Sequence, residues 1–163
     1  MGQTHITAAP GSPLIAMSRD FNAPPELLYR AYTEPELLVQ WLGPRRLTMR
    51  IERYDLRHGG SYRFIHRDTD GTEFGFRGVF HGDPSVEGIT RTFEFEGYPG
   101  HVSLETARFI EREGLTTVQT VAVFTSVDDR DGMIASGMEG GVNEGYERLD
   151  ELLAREIATA GVR

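Results

Sequence analysis

The 163-residue chain contains no cysteine and no lysine; all 17 of its basic residues are arginine. Without cysteine it has no disulfides, thiolate nucleophiles, iron–sulfur clusters or cysteine zinc sites. Without lysine it has neither Schiff-base chemistry nor a P-loop lysine. No apolar run approaches the roughly 18 residues that a membrane-spanning helix requires. The first residues lack a basic stretch followed by an apolar core, so no secretory signal is expected and a cytoplasmic protein is. Positive charge is also scarce. The formal net charge of -8 opposes a phosphate backbone and argues against a nucleic-acid partner. The one basic cluster, Arg45, Arg46, Arg50, Arg53 and Arg57, alternates with apolar residues and reads as a solvated strand edge.

What is present is ordinary for a globular chain: 39% hydrophobic and 26% charged residues. A flexible leader over 1–13, in which His5–Ala8 is a candidate edge strand, precedes a single predicted domain over 14–160. Its last stretch organises the rest. Ile134, Met138, Gly141, Val142, Gly145, Leu149, Leu152 and Leu153 recur at three- and four-residue steps. That spacing predicts one long amphipathic helix from Asp128 to about Ala160, with Ser126 and Asp129 at its start. Yet Gly132, Gly137, Gly140, Gly141 and Gly145 fall within it, each costing roughly 0.5 to 1 kcal/mol relative to alanine. Either another backbone comes very close, or that face lines an open space.

Upstream, a strand is predicted over Leu14–Asn22 and a short helix over Glu26–Thr33. A second short helix follows, for which Thr33 and Glu36 have capping-box spacing, and Gly43-Pro44 stops it. Strands then follow one another. Leu47, Met49 and Ile51 alternate with polar residues. If Thr69, Asp70 and Gly71 form a three-residue hairpin loop with glycine left-handed, Phe64 faces Phe76, His66 faces Phe74 and Tyr62 faces Gly78, gathering the aromatics on one face with Phe80 continuing it. Further strands are predicted over Ile89–Phe95, Val102–Glu111 and Leu115–Thr125, the last two joined at Glu113-Gly114; the inward face of that hairpin is not evident. The order implies an α+β fold, a curved antiparallel sheet wrapped round the final helix.

Four stretches carry a resemblance: RDFNAPPELLYRAYTEPELLVQWLGP at Arg19–Pro44, DLRHGG at Asp55–Gly60, DG then GVF at Asp70–Phe80, and GMEGGVNEGYERLDELL at Gly137–Leu153. In that order they resemble the Hsp90-ATPase-activator-like branch of the START/Bet v 1 (SRPBCC) superfamily. The resemblance implies a helix-grip fold with a cavity between sheet and C-terminal helix, and an aromatic near the cavity mouth at Trp41. It also implies that an Hsp90-like chaperone is a possible partner.

Catalytic patterns are sparse. The five histidines form no H-E-x-x-H, Ser61 sits in no nucleophile elbow, the helix glycines do not spell a phosphate-binding fingerprint, and Glu94, Glu96, Glu111 and Glu113 read as solvated. His66 is either a core histidine bonded to a backbone carbonyl or a catalytic group. The candidate ligand-binding set is Trp41, Phe64, His66, Phe76, Phe80, Phe93, Met133, Gly137, Met138 and Gly141. The expected function is binding of a small hydrophobic or amphipathic molecule, with no cofactor or metal, as a monomer or homodimer. A chaperone-binding domain and a cyclase- or hydrolase-like enzyme stand as alternatives.

Overall fold

The structure, a computed structural model, describes residues 2–161; residue 1 of the predicted leader lies outside them. Eight strands, β1 (His5–Thr7), β2 (Leu14–Phe21), β3 (Thr48–Tyr54), β4 (Ser61–Arg67), β5 (Glu73–Val79), β6 (Ile89–Phe95), β7 (Val102–Arg112) and β8 (Leu115–Val123), form one antiparallel sheet in the order β1-β2-β8-β7-β6-β5-β4-β3. Helices α1 (Pro25–Thr33) and α2 (Pro35–Leu38) follow β2, and α3 (Val127–Ala135) and α4 (Met138–Gly161) close the chain. This is the α+β helix-grip arrangement that the sequence implies.

The sheet's register follows from its turns. Gly71 takes φ +89° and the Asp68 amide donates to the Thr72 carbonyl at 2.8 Å. That three-residue loop sets Phe64 opposite Phe76, His66 opposite Phe74 and Tyr62 opposite Gly78, the register expected above. Across β6, Arg91 lies opposite Glu105 of β7, and across β8, Ala107 lies opposite Thr120. One parity therefore faces α4 throughout: odd residues on β2, β6 and β7, even residues on β4, β5 and β8. The unassigned hairpin turns inward through Glu105, Ala107, Phe109, Val118 and Thr120. On the outer face arginines and glutamates interlock. Arg50 pairs with Glu73 and Glu52, Arg63 with Glu52 and Glu96, and Arg77 with Glu94. Of the basic cluster, Arg50 is thus neutralised within the sheet, while Arg45 pairs with Glu151 of α4, Arg46 with Asp68 and Arg57 with Asp55. Glu94 and Glu96 are the partners of Arg77 and Arg63 rather than merely solvated residues.

Two local expectations are corrected. Thr33 does not cap α2. It is still the last residue of α1, and its hydroxyl donates back to the Tyr29 carbonyl at 2.7 Å, while Glu34 holds the N-cap position without a side-chain bond. The single final helix is two helices. Ser126 caps α3 by accepting from the Asp129 amide at 3.0 Å, as expected, but Gly137 takes φ +84° and breaks the helix after Ser136. A left-handed residue cannot propagate a right-handed helix. Arg130 of α3, 3% exposed, anchors this corner by donating to the carbonyls of Ala9 and Leu14 at 3.0 and 3.1 Å.

At Gly137 nothing lies within 4 Å of where a Cβ would stand, so its requirement for glycine is conformational. Gly137→Ala is expected to destabilise the fold by about 1 kcal/mol, a fall of roughly 2–4 °C in Tm at this chain length, read by calorimetry. This reverses what placing Gly137 inside a cavity-facing helix would imply.

The core sits towards the C-terminal half of α4. Tyr146, Leu149, Leu152 and Leu153 are buried with Phe21, Leu27, Leu28 and Val118, and Tyr146 meets Phe21 edge-on at 5.3 Å. Gly145 marks the tightest approach, since a Cβ there would stand 3.2 Å from the Trp41 carbonyl oxygen and 3.4 Å from the Gly43 nitrogen. Both explanations of the helix glycines therefore hold, at different positions: Gly145 admits a neighbouring backbone, and Gly141, whose Cβ would meet only Pro44 Cδ at 3.8 Å, borders open space.

Candidate functional site

Above this core the sheet and helix part to leave a cavity of about 350 Å³. The N-terminal half of α4 roofs it through Met138, Gly141, Val142 and Gly145, together with Leu42, Gly43, Pro44 and Leu47 of the α2–β3 connection. The sheet supplies the facing wall. Phe64, Phe76 and Phe93 line it, with Phe76 and Phe93 stacked at 5.4 Å and 21°, because their parity on β4, β5 and β6 turns them towards the helix. Trp41 forms one end, donating its indole N–H to the Ala31 carbonyl at 2.9 Å and leaning on Tyr32 at 4.8 Å.

Seven of the ten expected residues border this space: Trp41, Phe64, His66, Phe76, Phe93, Met138 and Gly141. Three do not. Phe80 shares the inward face but is 1% exposed, packed against Tyr54 and Tyr62 at 5.7 and 5.5 Å. Met133 belongs to α3, before the helix break, and Gly137 is the break itself; neither reaches the cavity.

His66 fits neither simple reading. Its ring lies under Gly43, where a Cβ would come within 2.8 Å of its Cε1. Its Nδ1 is buried with no hydrogen-bond partner among the described residues, so no carbonyl satisfies it. Burial, and then the nearby Arg148 guanidinium, lower its pKa to about 4, so the ring is neutral at ordinary pH. Arg148 itself donates to the Gly43 and Pro44 carbonyls at 3.0 and 3.3 Å, fixing the connection above the histidine.

The sequence reasoning missed the polar wall. Arg91 and Glu105 line the cavity, with Arg91 Nε 3.3 Å from a Glu105 oxygen. The guanidinium lies over Tyr62 at 4.6 Å and Phe64 at 5.7 Å, a cation–π placement. Tyr32, Tyr54 and Tyr146 also reach the space. Burial raises all three phenols, Tyr54 to about 12, so all are protonated at neutral pH. Thr120 is a further lining residue, its buried Oγ1 without a partner among the described residues. The available signal was parity: Arg91 stands two residues before Phe93, on the same side of β6.

A family model, Activator of Hsp90 ATPase homolog 1-like protein, matches residues 22–154. The chain belongs to that family. Solved structures agree with the fold. A protein from Rhodobacter sphaeroides is similar with a TM-score of 0.85 at 27% identity, over 94% of this chain and 99% of that one. One from Arthrobacter aurescens gives 0.84 at 20% identity, over 93% and 91%. One from Chromobacterium violaceum gives 0.77 at 24%, over 86% and 96%. No curated protein matches. Among the described residues no helix is long and apolar enough to cross a membrane, and no group of three or more metal-ligating side chains could hold an ion.

Proposed function

We propose that this member of the Activator of Hsp90 ATPase homolog 1-like family binds a small hydrophobic or amphipathic molecule between its sheet and α4. The observation that carries the reading is the cavity, about 350 Å³ walled largely by aromatic and aliphatic side chains, within the range of small-molecule sites. A close-packed domain rarely leaves such a volume unfilled without use. Glycine at 141 supports the reading, since the helix forgoes a better helix former there and keeps the roof open. The test is titration with a neutral dye that fluoresces in apolar surroundings, such as N-phenyl-1-naphthylamine. Saturable one-to-one uptake at micromolar concentration, reversed by amphipathic competitors, is the expected result; unsaturable or absent uptake would reject it.

The family's description supports a second reading, contact with an Hsp90-like chaperone. If ligand binding is the principal role, a chaperone of that kind hydrolyses ATP at the same rate with and without this protein. A reproducible several-fold stimulation would put the chaperone contact first.

A further inference from the structure

We infer that the cavity selects a neutral head group, one that both accepts and donates hydrogen bonds, such as a hydroxyl or carboxamide on an apolar body, and holds it at Arg91 and Glu105. The inference rests on the ligand-binding reading and adds the chemistry of the ligand's polar end.

Strand register builds the niche. Arg91 stands directly opposite Glu105, while Ile89 and Thr120 stand opposite Ala107 on its two sides. All five residues border the cavity. Ala107 contributes only a methyl group between larger neighbours, so space is left beside the ion pair. The pair is also underused. Among the described residues Arg91 makes one side-chain hydrogen bond, from Nε to Oε1 of Glu105 at 3.3 Å, and the other oxygen of Glu105 accepts none. Guanidinium carries five N–H donors and carboxylate is an acceptor throughout. Donors and an acceptor thus lie side by side at the cavity wall.

Charge decides which head group fits. Arg91 and Glu105 neutralise each other, in a cavity whose other walls are apolar or neutral. A ligand carboxylate brought to Arg91 would also stand against Glu105, and an ammonium brought to Glu105 would stand against Arg91. Each would bring an unbalanced charge into a weakly screened space. A hydroxyl or carboxamide takes a bond from Arg91 and gives one to Glu105 with no net charge.

The experiment is competition at about pH 7 against the neutral dye, using octanol, octanamide, octanoate and octylamine, which share one tail. The expected result is that octanol and octanamide displace the dye about tenfold more tightly than either charged compound. Octanoate or octylamine binding equally well overturns the inference and leaves the cavity reading standing. Displacement by none of the four, with the dye itself not taken up, overturns both. Two variants address the cause. Removing both charges in Arg91→Met/Glu105→Met takes away the head group's hydrogen-bond partners and should weaken octanol and octanamide by about tenfold while dye uptake persists. If that protein does not fold, Glu105→Gln alone leaves Arg91 unbalanced and should shift preference towards octanoate over octanamide by about tenfold. An unchanged ranking in folded Glu105→Gln, or undiminished affinity for octanol and octanamide in the folded double variant, overturns the inference.

Discussion

Gly141→Leu is expected to weaken uptake of an apolar ligand by about ten- to a hundred-fold while Tm stays level or rises. The added side chain enters the roof of the cavity, where a Cβ meets only Pro44 Cδ at 3.8 Å, so the empty protein accommodates it. Leucine also propagates a helix better than glycine by roughly 1 kcal/mol. A bound ligand, by contrast, must compete for that volume, and 1–3 kcal/mol of overpacking corresponds to the stated loss. Neighbouring glycines separate this cause from a general effect on the helix. Gly140, exposed with nothing within 4 Å, should accept leucine with no loss of binding. Gly145→Leu should fail differently, because its Cβ would press on the Trp41 carbonyl at 3.2 Å. Folding should then fall by about 1–3 kcal/mol and binding with it. Dye titration and thermal unfolding of the three variants decide the matter; a large fall in Tm for Gly141→Leu would mean that the roof is closed there.

The second large effect is on acid stability. His66 has a pKa of about 4 when folded, against about 6.5 for an unconstrained histidine. Above about pH 6.5 the ring is neutral in both states and the contribution is flat. As pH falls below that, the unfolded chain takes up a proton that the folded chain resists until about pH 4, so stability declines across this window. The shift corresponds to about 3 kcal/mol. His66→Gln cannot titrate, and its stability between about pH 6.5 and 4 should therefore fall less than that of the native protein by about that amount. Urea unfolding at several pH values measures the difference, and parallel curves for the two proteins would remove His66 as its source. The carboxylates held by arginines across the outer face titrate in both proteins and cancel in the comparison.

Fold and site were legible to different depths. Asp70-Gly71 marked a hairpin, and of the two-residue and three-residue loops open to it only the longer one gathers Phe64 and Phe76 on one face, the register found. The glycines of the last helix signalled both a close approach and an opening. Which glycine did which depends on what lies across from each one, and the helical periodicity carries no such information. The break at Gly137 was hidden because apolar residues on either side kept a helical rhythm through it. Phe80 shares the parity of the cavity aromatics, yet Tyr54 and Tyr62 fill the space before it; one strand's sequence does not say what another strand packs against it. Arg91 and Glu105 escaped because alternation assigns charge to the wet face. A half-buried, inward-facing ion pair appears only when two strands are laid in register, and this one required β6 and β7 together.

The sheet is open, and an open sheet ends in unpaired backbone. β1 and β3 are its two edge strands. β1 is three residues long, too short to template much further pairing. β3 is longer, but its ladder to β4 slips between Ile51 and Arg53, and Arg50, Glu52 and Arg53 stand exposed along it. An irregular, charged border is a poor surface for another chain to extend. The same arginine–glutamate lattice that ties the outer face together thus also helps to keep one molecule's sheet from continuing into the next.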